Sequence, residues 1–185
     1  MSGRERRRVN GNSSDYLDLD EERHLKDKNK KRDQLNKIER NAGGFKCSHC
    51  RIFIPINEIM GTENRNHCHC CLWSKHLDRE TPGDRKSECQ QGMKPIGLTF
   101  KQEGHDKYGK LKQGELMLIH ECQGCDKLSI NRIAADDDTN AVLEVFELSK
   151  NLDPERMEAI EQQQIRLLGE NDLQQIKTQL FGKGE

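Results

Sequence analysis

Three cysteine pairs with the same internal spacing constrain this chain more than any other feature of its sequence. Two residues separate the cysteines of each pair, and the pairs are Cys47/Cys50, Cys68/Cys71 and Cys122/Cys125. A gap of two residues allows one tight turn to direct two thiolates at the same ion, about 2.3 Å away if the ion is zinc. Seventeen residues lie between the first pair and the second, which is typical of a zinc ribbon. These two pairs are therefore predicted to form one tetrahedral zinc site.

The remaining cysteines predict a second zinc site that needs one further ligand. Cys122, Cys125 and the isolated Cys89 supply three thiolates, and histidine is the usual fourth ligand of such a set. The candidates are His67, His76 and His120, of which we favour His76. Sequence spacing leaves open which histidine is used and whether the first cysteine pair closes onto the third instead of the second. The number of zinc ions, one or two, is open for the same reason.

Three residues inside the predicted turns are not expected to bind the metal. Cys70 lies between two ligand cysteines and is expected to point away from an ion that they hold. His49 and His69 sit within their turns and are expected to be exposed.

The rest of the chain favours metal ligation over disulfide formation. The N-terminus, MSGRERRRVNGNSSDY, has no apolar segment that would direct export, so we expect a reducing, cytoplasmic location. The longest apolar run, residues 116–119, is far shorter than the roughly 18 residues of a membrane span, so we expect no membrane association. Hydrophobic residues make up 32% of the chain, and bound metal would compensate for so small a core.

The pattern of apolar residues predicts an α+β fold with three regions. Residues 1–43 are rich in charge and are predicted to be partly disordered, with a charged helix over 20–40. Residues 44–138 contain short apolar segments that predict antiparallel strands near 51–56, 96–100, 111–119 and 128–133. Residues 139–185 have apolar residues at helical spacing, including a stripe at Met157, Ile160, Leu167 and Leu168. We therefore expect a zinc-ribbon-like core of short strands with helical extensions at both ends.

An ordered set of motifs extends beyond the cysteines. It begins with Arg65-Asn66-His67-Cys68, and its later members are Cys71, Leu72, Ser74, His76, Asp78, Pro82-Gly83-Asp84-Arg85, Cys89, Gly92, Met93, Pro95, His120, Cys122, Cys125 and residues 131–137. This set resembles the RNHCP domain family over residues 45–138. His69 stands where the family motif has proline, and Asp126 stands where a glycine is usual. The resemblance implies a small metal-binding domain and no particular reaction.

Three classes of function are compatible with these residues. The first is a nucleic-acid or ribonucleoprotein binding module, with RNA, DNA or the ribosome as partner. Its contacts would come from the basic runs before residue 33 or from Arg51, Arg65, Arg79, Arg85 and Arg132. The second is a scaffold that binds a protein through the C-terminal helices. The third is a zinc-dependent hydrolase or nuclease-like enzyme that would use His67, His76, Cys89, Asp84, Asp136 and Asp137. The charge of the whole chain, −1 at pH 7, requires any nucleic-acid contact to be local.

Overall fold

Within the described part of the chain, six strands form two antiparallel sheets in this computed structural model. The structure describes residues 23–28, 30–31, 43–55, 65–81, 83–105, 107–109, 112 and 114–182. The smaller sheet pairs β1 (Gly44–Lys46) with β2 (Phe53–Pro55). The larger sheet has the order β3 (Ser74–Lys75), β4 (Gly92–Phe100), β5 (Leu116–Cys122) and β6 (Leu128–Arg132).

The central strands β4 and β5 are apolar because both faces of the sheet are covered there. Leu118, Ile119 and His120 on β5 are fully buried, and Leu98 on β4 is fully buried as well. The pairing of β4 with β5 shifts between Pro95 and Gly97. Proline has no N–H to donate to a ladder, so an irregularity at this point avoids an unsatisfied partner.

Three α-helices follow the larger sheet within the described residues. Helix α1 (Thr139–Ser149) begins after Asp138, whose carboxylate accepts from the backbone N–H groups of Asn140 and Ala141. Helix α2 (Pro154–Gln162) begins after Asp153, whose carboxylate accepts from the N–H of Arg156. Proline suits the first helical position because the N–H that it lacks would have no partner there. A short 3-10 helix (Glu170–Asp172) leads into α3 (Leu173–Phe181).

The apolar faces of these helices pack against the larger sheet. Leu98 and Leu118 from the strands belong to one buried cluster with Val142, Phe146 and Ile176 from the helices. A second cluster joins β4, β5 and β6 to α2 through Ile96, Ile119, Leu128 and Ile160. The C-terminal helices therefore bury their apolar stripes on the sheet of their own chain, which is the usual role of an amphipathic helix.

The α+β fold predicted from the sequence is confirmed, and one helical boundary differs. Helix α2 ends at Gln162, so Leu167 and Leu168 lie beyond it, and the backbone N–H of Leu168 donates to Leu98 on β4. Met157, predicted to be part of the same stripe, is exposed. Pattern alone could not find this end because apolar residues continued at helical spacing past it.

The N-terminal unit, Met1–Gly43, is separate from the unit Gly44–Glu185. Residues 23–28 and 30–31 are helical and exposed, and the rest of the helix predicted over 20–40 lies outside the described residues. In the described part of the chain, no helix has the length and apolar character needed to cross a membrane.

Candidate metal centres

All three cysteine pairs lie in turns that have the same backbone geometry. In each turn the N–H of the first cysteine donates to the carbonyl five residues later, and the N–H four residues later donates back to the carbonyl of that cysteine. The bonds are Cys47 to Ile52, Arg51 to Cys47, Cys68 to Trp73, Leu72 to Cys68, Cys122 to Lys127 and Asp126 to Cys122, at 2.9 to 3.1 Å. The fourth residue after the first cysteine has a positive φ each time: 67° at Arg51, 59° at Leu72 and 57° at Asp126. Glycine adopts this conformation most easily, which agrees with the glycine that the resemblance described above implies at position 126.

The first two turns bring their four sulfurs together. The Sγ atoms of Cys47 and Cys71 are 3.6 Å apart, as are those of Cys50 and Cys68. All four lie within 4.8 Å of one another. A tetrahedral zinc site with Zn–S distances of about 2.3 Å has edges of about 3.8 Å, so the thiol positions match what one ion needs.

The second group forms at one end of the larger sheet. His76 directly follows β3, Cys89 lies in the loop before β4, Cys122 ends β5 and Cys125 lies in the turn before β6. Antiparallel pairing of Ser74 with Met93, and of Met93 with Cys122, places these strand ends side by side. The Nδ1 atom of His76 is 3.2 Å from the sulfur of Cys122 and 3.3 Å from that of Cys125. Cys89 and Cys122 have sulfurs 3.6 Å apart.

The eight residues predicted as ligands lie in two groups of four, and this grouping bears on two of the three points that sequence spacing left open, the pairing of the cysteines and the choice of histidine. The first cysteine pair lies with the second and not with the third, and His76 is the histidine that lies with Cys89, Cys122 and Cys125. His67 and His120 belong to neither group. Cys70 also lies outside both groups, whereas His69, expected to be exposed, is half-buried.

The electrostatics of these groups suit a bound cation. Burial raises the pKa of Cys68 to about 11 and that of Cys122 to about 11, and it also raises the pKa of Cys71. By contrast, a hydrogen bond from the backbone of Gln91 lowers the pKa of Cys89. Buried thiols resist ionisation because a thiolate loses hydration and repels its neighbours, and a divalent cation at their centre removes both penalties. Four donors drawn from thiolates and imidazole fit zinc, because zinc is an ion of borderline softness that takes four such ligands in tetrahedral coordination.

An ionic network with Arg65 and Asp137 buried at its centre lies beside the second turn. The guanidinium of Arg65 donates to both carboxylate oxygens of Asp136, at 2.7 Å each, and to Asp137 at 2.8 Å. The second carboxylate oxygen of Asp137 lies 2.6 Å from Nε2 of His67 and accepts from the N–H of Ala134 at 2.7 Å. The hydrogen bonds from Arg65 hold the pKa of Asp136 below its usual range. The network joins the segment before Cys68 to the segment that begins α1.

Sequence reasoning did not find this network. It offered Arg65 as a surface contact and His67 as a metal ligand, but the side chain of Arg65 is fully buried and that of His67 is 3% exposed. Arg65 is 71 positions from Asp136 and 72 positions from Asp137 in the chain. No local pattern connects residues so far apart.

His120 is committed elsewhere in the core. Its Nε2 lies 2.7 Å from the carbonyl oxygen of Leu72, and its Nδ1 lies 2.9 Å from the side-chain nitrogen of Asn131. These contacts fix the tautomer, because a carbonyl can only accept and an amide nitrogen can only donate. Burial lowers the pKa of His120 to about 4, so the ring is neutral at pH 7 and fastens the second turn to β5 and β6.

Comparison with known proteins gives one match. A family model described as the RNHCP domain matches residues 42–143. No curated protein and no solved structure matches the chain.

The positive φ of Asp126 generates the first prediction. Replacing Asp126 with glycine should stabilise the zinc-loaded protein by up to about 1 kcal/mol, because a left-handed backbone costs other residues roughly that amount. The matched control is Gln123→Gly in the same exposed turn, at a position without positive φ, which should be neutral or destabilising. Urea unfolding at fixed zinc concentration measures both. Equal effects of the two substitutions would contradict the conformational explanation.

The ionic network generates the second prediction. Arg65→Lys keeps the positive charge, but a lysine cannot form the bidentate hydrogen bonds to Asp136 while also binding Asp137. The substitution should therefore lower the free energy of unfolding by about 2 kcal/mol or more. Arg132→Lys is the matched control, because Arg132 pairs with Glu115 at the surface and such pairs contribute less than about 1 kcal/mol. Similar losses in the two variants would show that Arg65 does not anchor the fold.

Proposed function

This chain belongs to the RNHCP domain family, and from its two groups of four ligands we propose that it is a zinc-binding protein in which both zinc ions are structural and which acts as a nucleic-acid binding module. The observation that carries the first half is the closure of each group. One group has four cysteines and the other has three cysteines and one histidine, and within each group the four donors lie within 4.8 Å of one another. Structural zinc is held by four protein ligands, whereas catalytic zinc keeps one position for water or substrate.

Zinc in these positions would supply folding free energy. The first group lies in a small core of its own. Among the residues that the structure describes, Ile54 and the ligand Cys68 are the fully buried members of this core. So few apolar contacts give little hydrophobic stabilisation. Metal ligation can provide much more in domains of this kind, and removal of the metal then unfolds them.

The third prediction tests zinc binding. The purified protein should contain two zinc ions per chain, and chelation should remove its cooperative unfolding transition. Cys71→Ser should lose about one zinc ion and much stability, while the neighbouring control Cys70→Ser should retain both ions. Elemental analysis and thermal unfolding give the two readouts. A folded protein that carries no metal, or equal effects of the two serine variants, would contradict the proposal.

Nucleic-acid binding is supported by the basic residues of the N-terminal unit. Residues 23–28 and 30–31 are helical and exposed, and the run 26–32 contains five Lys or Arg residues against a single acidic residue, Asp27, after the acidic residues Asp20, Glu21 and Glu22. A short helix with this excess of positive charge attracts phosphates by displacing their counterions. Because the chain as a whole is nearly neutral, a local segment of this kind must make the contact.

The alternative functions receive less support from the geometry. The C-terminal helices bury most of their apolar residues within their own unit, and their exposed apolar residues, Leu148, Met157 and Phe181, are scattered over three helices. A hydrolase would need an accessible base, but His67 is buried against Asp137. Asp84 accepts backbone N–H bonds from Arg79, Glu80, Thr81 and Lys86, so its carboxylate organises a loop.

The fourth prediction concerns the basic segment. Full-length protein should bind RNA or DNA oligonucleotides with an affinity that falls steeply with salt, since each phosphate contact contributes roughly 0.7 to 0.9 to the slope of log affinity against log salt. The triple substitution of Lys28, Lys30 and Lys31 by Gln should weaken binding and flatten that slope by about two. The control replaces Lys94, Lys112 and Lys177, three exposed lysines of the other unit, and should have a smaller effect. Fluorescence anisotropy measures both, and absence of binding at low salt would reject this half of the proposal.

A further inference from the structure

An aromatic pair lies across the first metal centre. His49, inside the first turn, stacks on Trp73, which directly follows the second turn, with ring centroids 4.2 Å apart and planes 5° from parallel. The indole is half-buried and lies against Gly92 of β4, where a Cβ would come within 3.3 Å of it. His49 is exposed, and the indole covers one of its faces. The other face of the imidazole is therefore directed to solvent.

The position of this pair is fixed by the metal centre. His49 lies between the ligands Cys47 and Cys50, and Trp73 accepts a hydrogen bond at its carbonyl from the N–H of the ligand Cys68. A ring held in this way loses little conformational entropy when something packs on it. The pair is a rigid platform and not a flexible surface side chain.

The two segments that carry the platform have charge of one sign, whereas Asp138 lies near the second turn, where its backbone N–H donates to the carbonyl of His69. Residues 43–55 and 65–77, which build this centre, contain no Asp or Glu. Lys46, Arg51 and Lys75 are exposed in these segments, whereas Arg65 is paired with the aspartates. A zinc ion held by four thiolates has a formal charge of −2, so part of this positive charge balances the centre itself. Arg51 and Lys46, which lie in the first turn and just before it, are the cations that a phosphate would meet beside His49.

We propose that the His49–Trp73 platform stacks one unpaired base of a single-stranded nucleic acid, with Arg51 and Lys46 contacting the adjoining phosphates. This rests on the proposed nucleic-acid function and adds the form of nucleic acid that is bound. Aromatic stacking accepts any base because every base has a π-face, and it is the common device of proteins that bind single strands. In a duplex the neighbouring base pairs cover both faces of each base, so a duplex offers nothing to stack on His49.

The test uses full-length, zinc-loaded protein and a 12-nucleotide strand offered as RNA, as DNA and as the corresponding duplex. His49→Ala should weaken binding of the single strands about tenfold, the range expected for loss of one stacked base, and should leave duplex binding unchanged. His49→Phe should retain the affinity. His105→Ala, at another exposed histidine, is the matched control and should have no effect. Trp73 is the one tryptophan of the chain, so its fluorescence should change when a strand binds to the wild type.

Two further measurements separate this role from a structural one. The zinc content of His49→Ala should equal that of the wild type, which excludes damage to the metal centre as the cause of weaker binding. Arg51→Gln should weaken single-strand binding at full zinc occupancy. If Arg51→Gln instead lowers zinc affinity alone, Arg51 serves the metal centre and its phosphate contact is overturned.

The outcomes also distinguish the platform from the broader function. If the basic-segment variant loses affinity while His49→Ala binds normally, the platform is overturned and nucleic-acid binding stands. If the duplex binds as tightly as the single strands and responds equally to His49→Ala, stacking of an unpaired base is overturned. If the wild type binds none of the three, both proposals are overturned. A preference for RNA over DNA would identify the bound single strand as RNA. Equal binding of the two would show that the protein recognises stacked bases and phosphates and does not distinguish the sugars.

Discussion

Four thiols that meet within 4.8 Å lose hydration and, once ionised, repel one another, and a divalent cation at their centre relieves both costs. Much of this architecture follows from that requirement. The smaller sheet has two strands of three residues each, and an isolated pair of strands is marginal in water. The larger sheet has its own apolar core, yet one of its ends is where the second group of ligands lies. Metal ligation and hydrophobic packing thus stabilise different parts of the same unit.

The buried network around Arg65 connects these two sources of stability. It fixes the segment that leads into the second turn to the segment that leads into α1, and the N–H of Asp138 adds a hydrogen bond to the carbonyl of His69. Leu72, in the same turn, enters the main hydrophobic cluster with α1. Removal of metal from the first centre is therefore expected to loosen the helical side of the molecule as well, because the second turn belongs to both.

Each ligand group supplies four protein donors, so a zinc ion bound there would have no open position for water or substrate. The proposed function therefore depends on the surface around the ion. A structural ion can hold neighbouring side chains in fixed positions, and an ion bound in the first group would do this for His49, Arg51 and Trp73. In the proposed nucleic-acid function, the basic N-terminal segment and the His49–Trp73 platform would make different contributions. The segment would attract phosphates by its charge, whereas the platform would add a stacking surface with modest charge.

Several features were determined by sequence alone because they depend on neighbours in the chain. The spacing of each cysteine pair specifies a turn, a short apolar run specifies a strand such as β5, and Asp153 followed by Pro154 specifies the start of α2. The family was evident for the same reason, since its motif is an ordered run of residues. The tertiary structure alone decided that His76 joins Cys122, 46 positions away, and that Arg65 is buried against Asp136. It also decided that His120 fastens the core and that His49 stacks on Trp73. These choices depend on which strand ends lie side by side and how deeply each side chain is buried, and neither is encoded in local spacing.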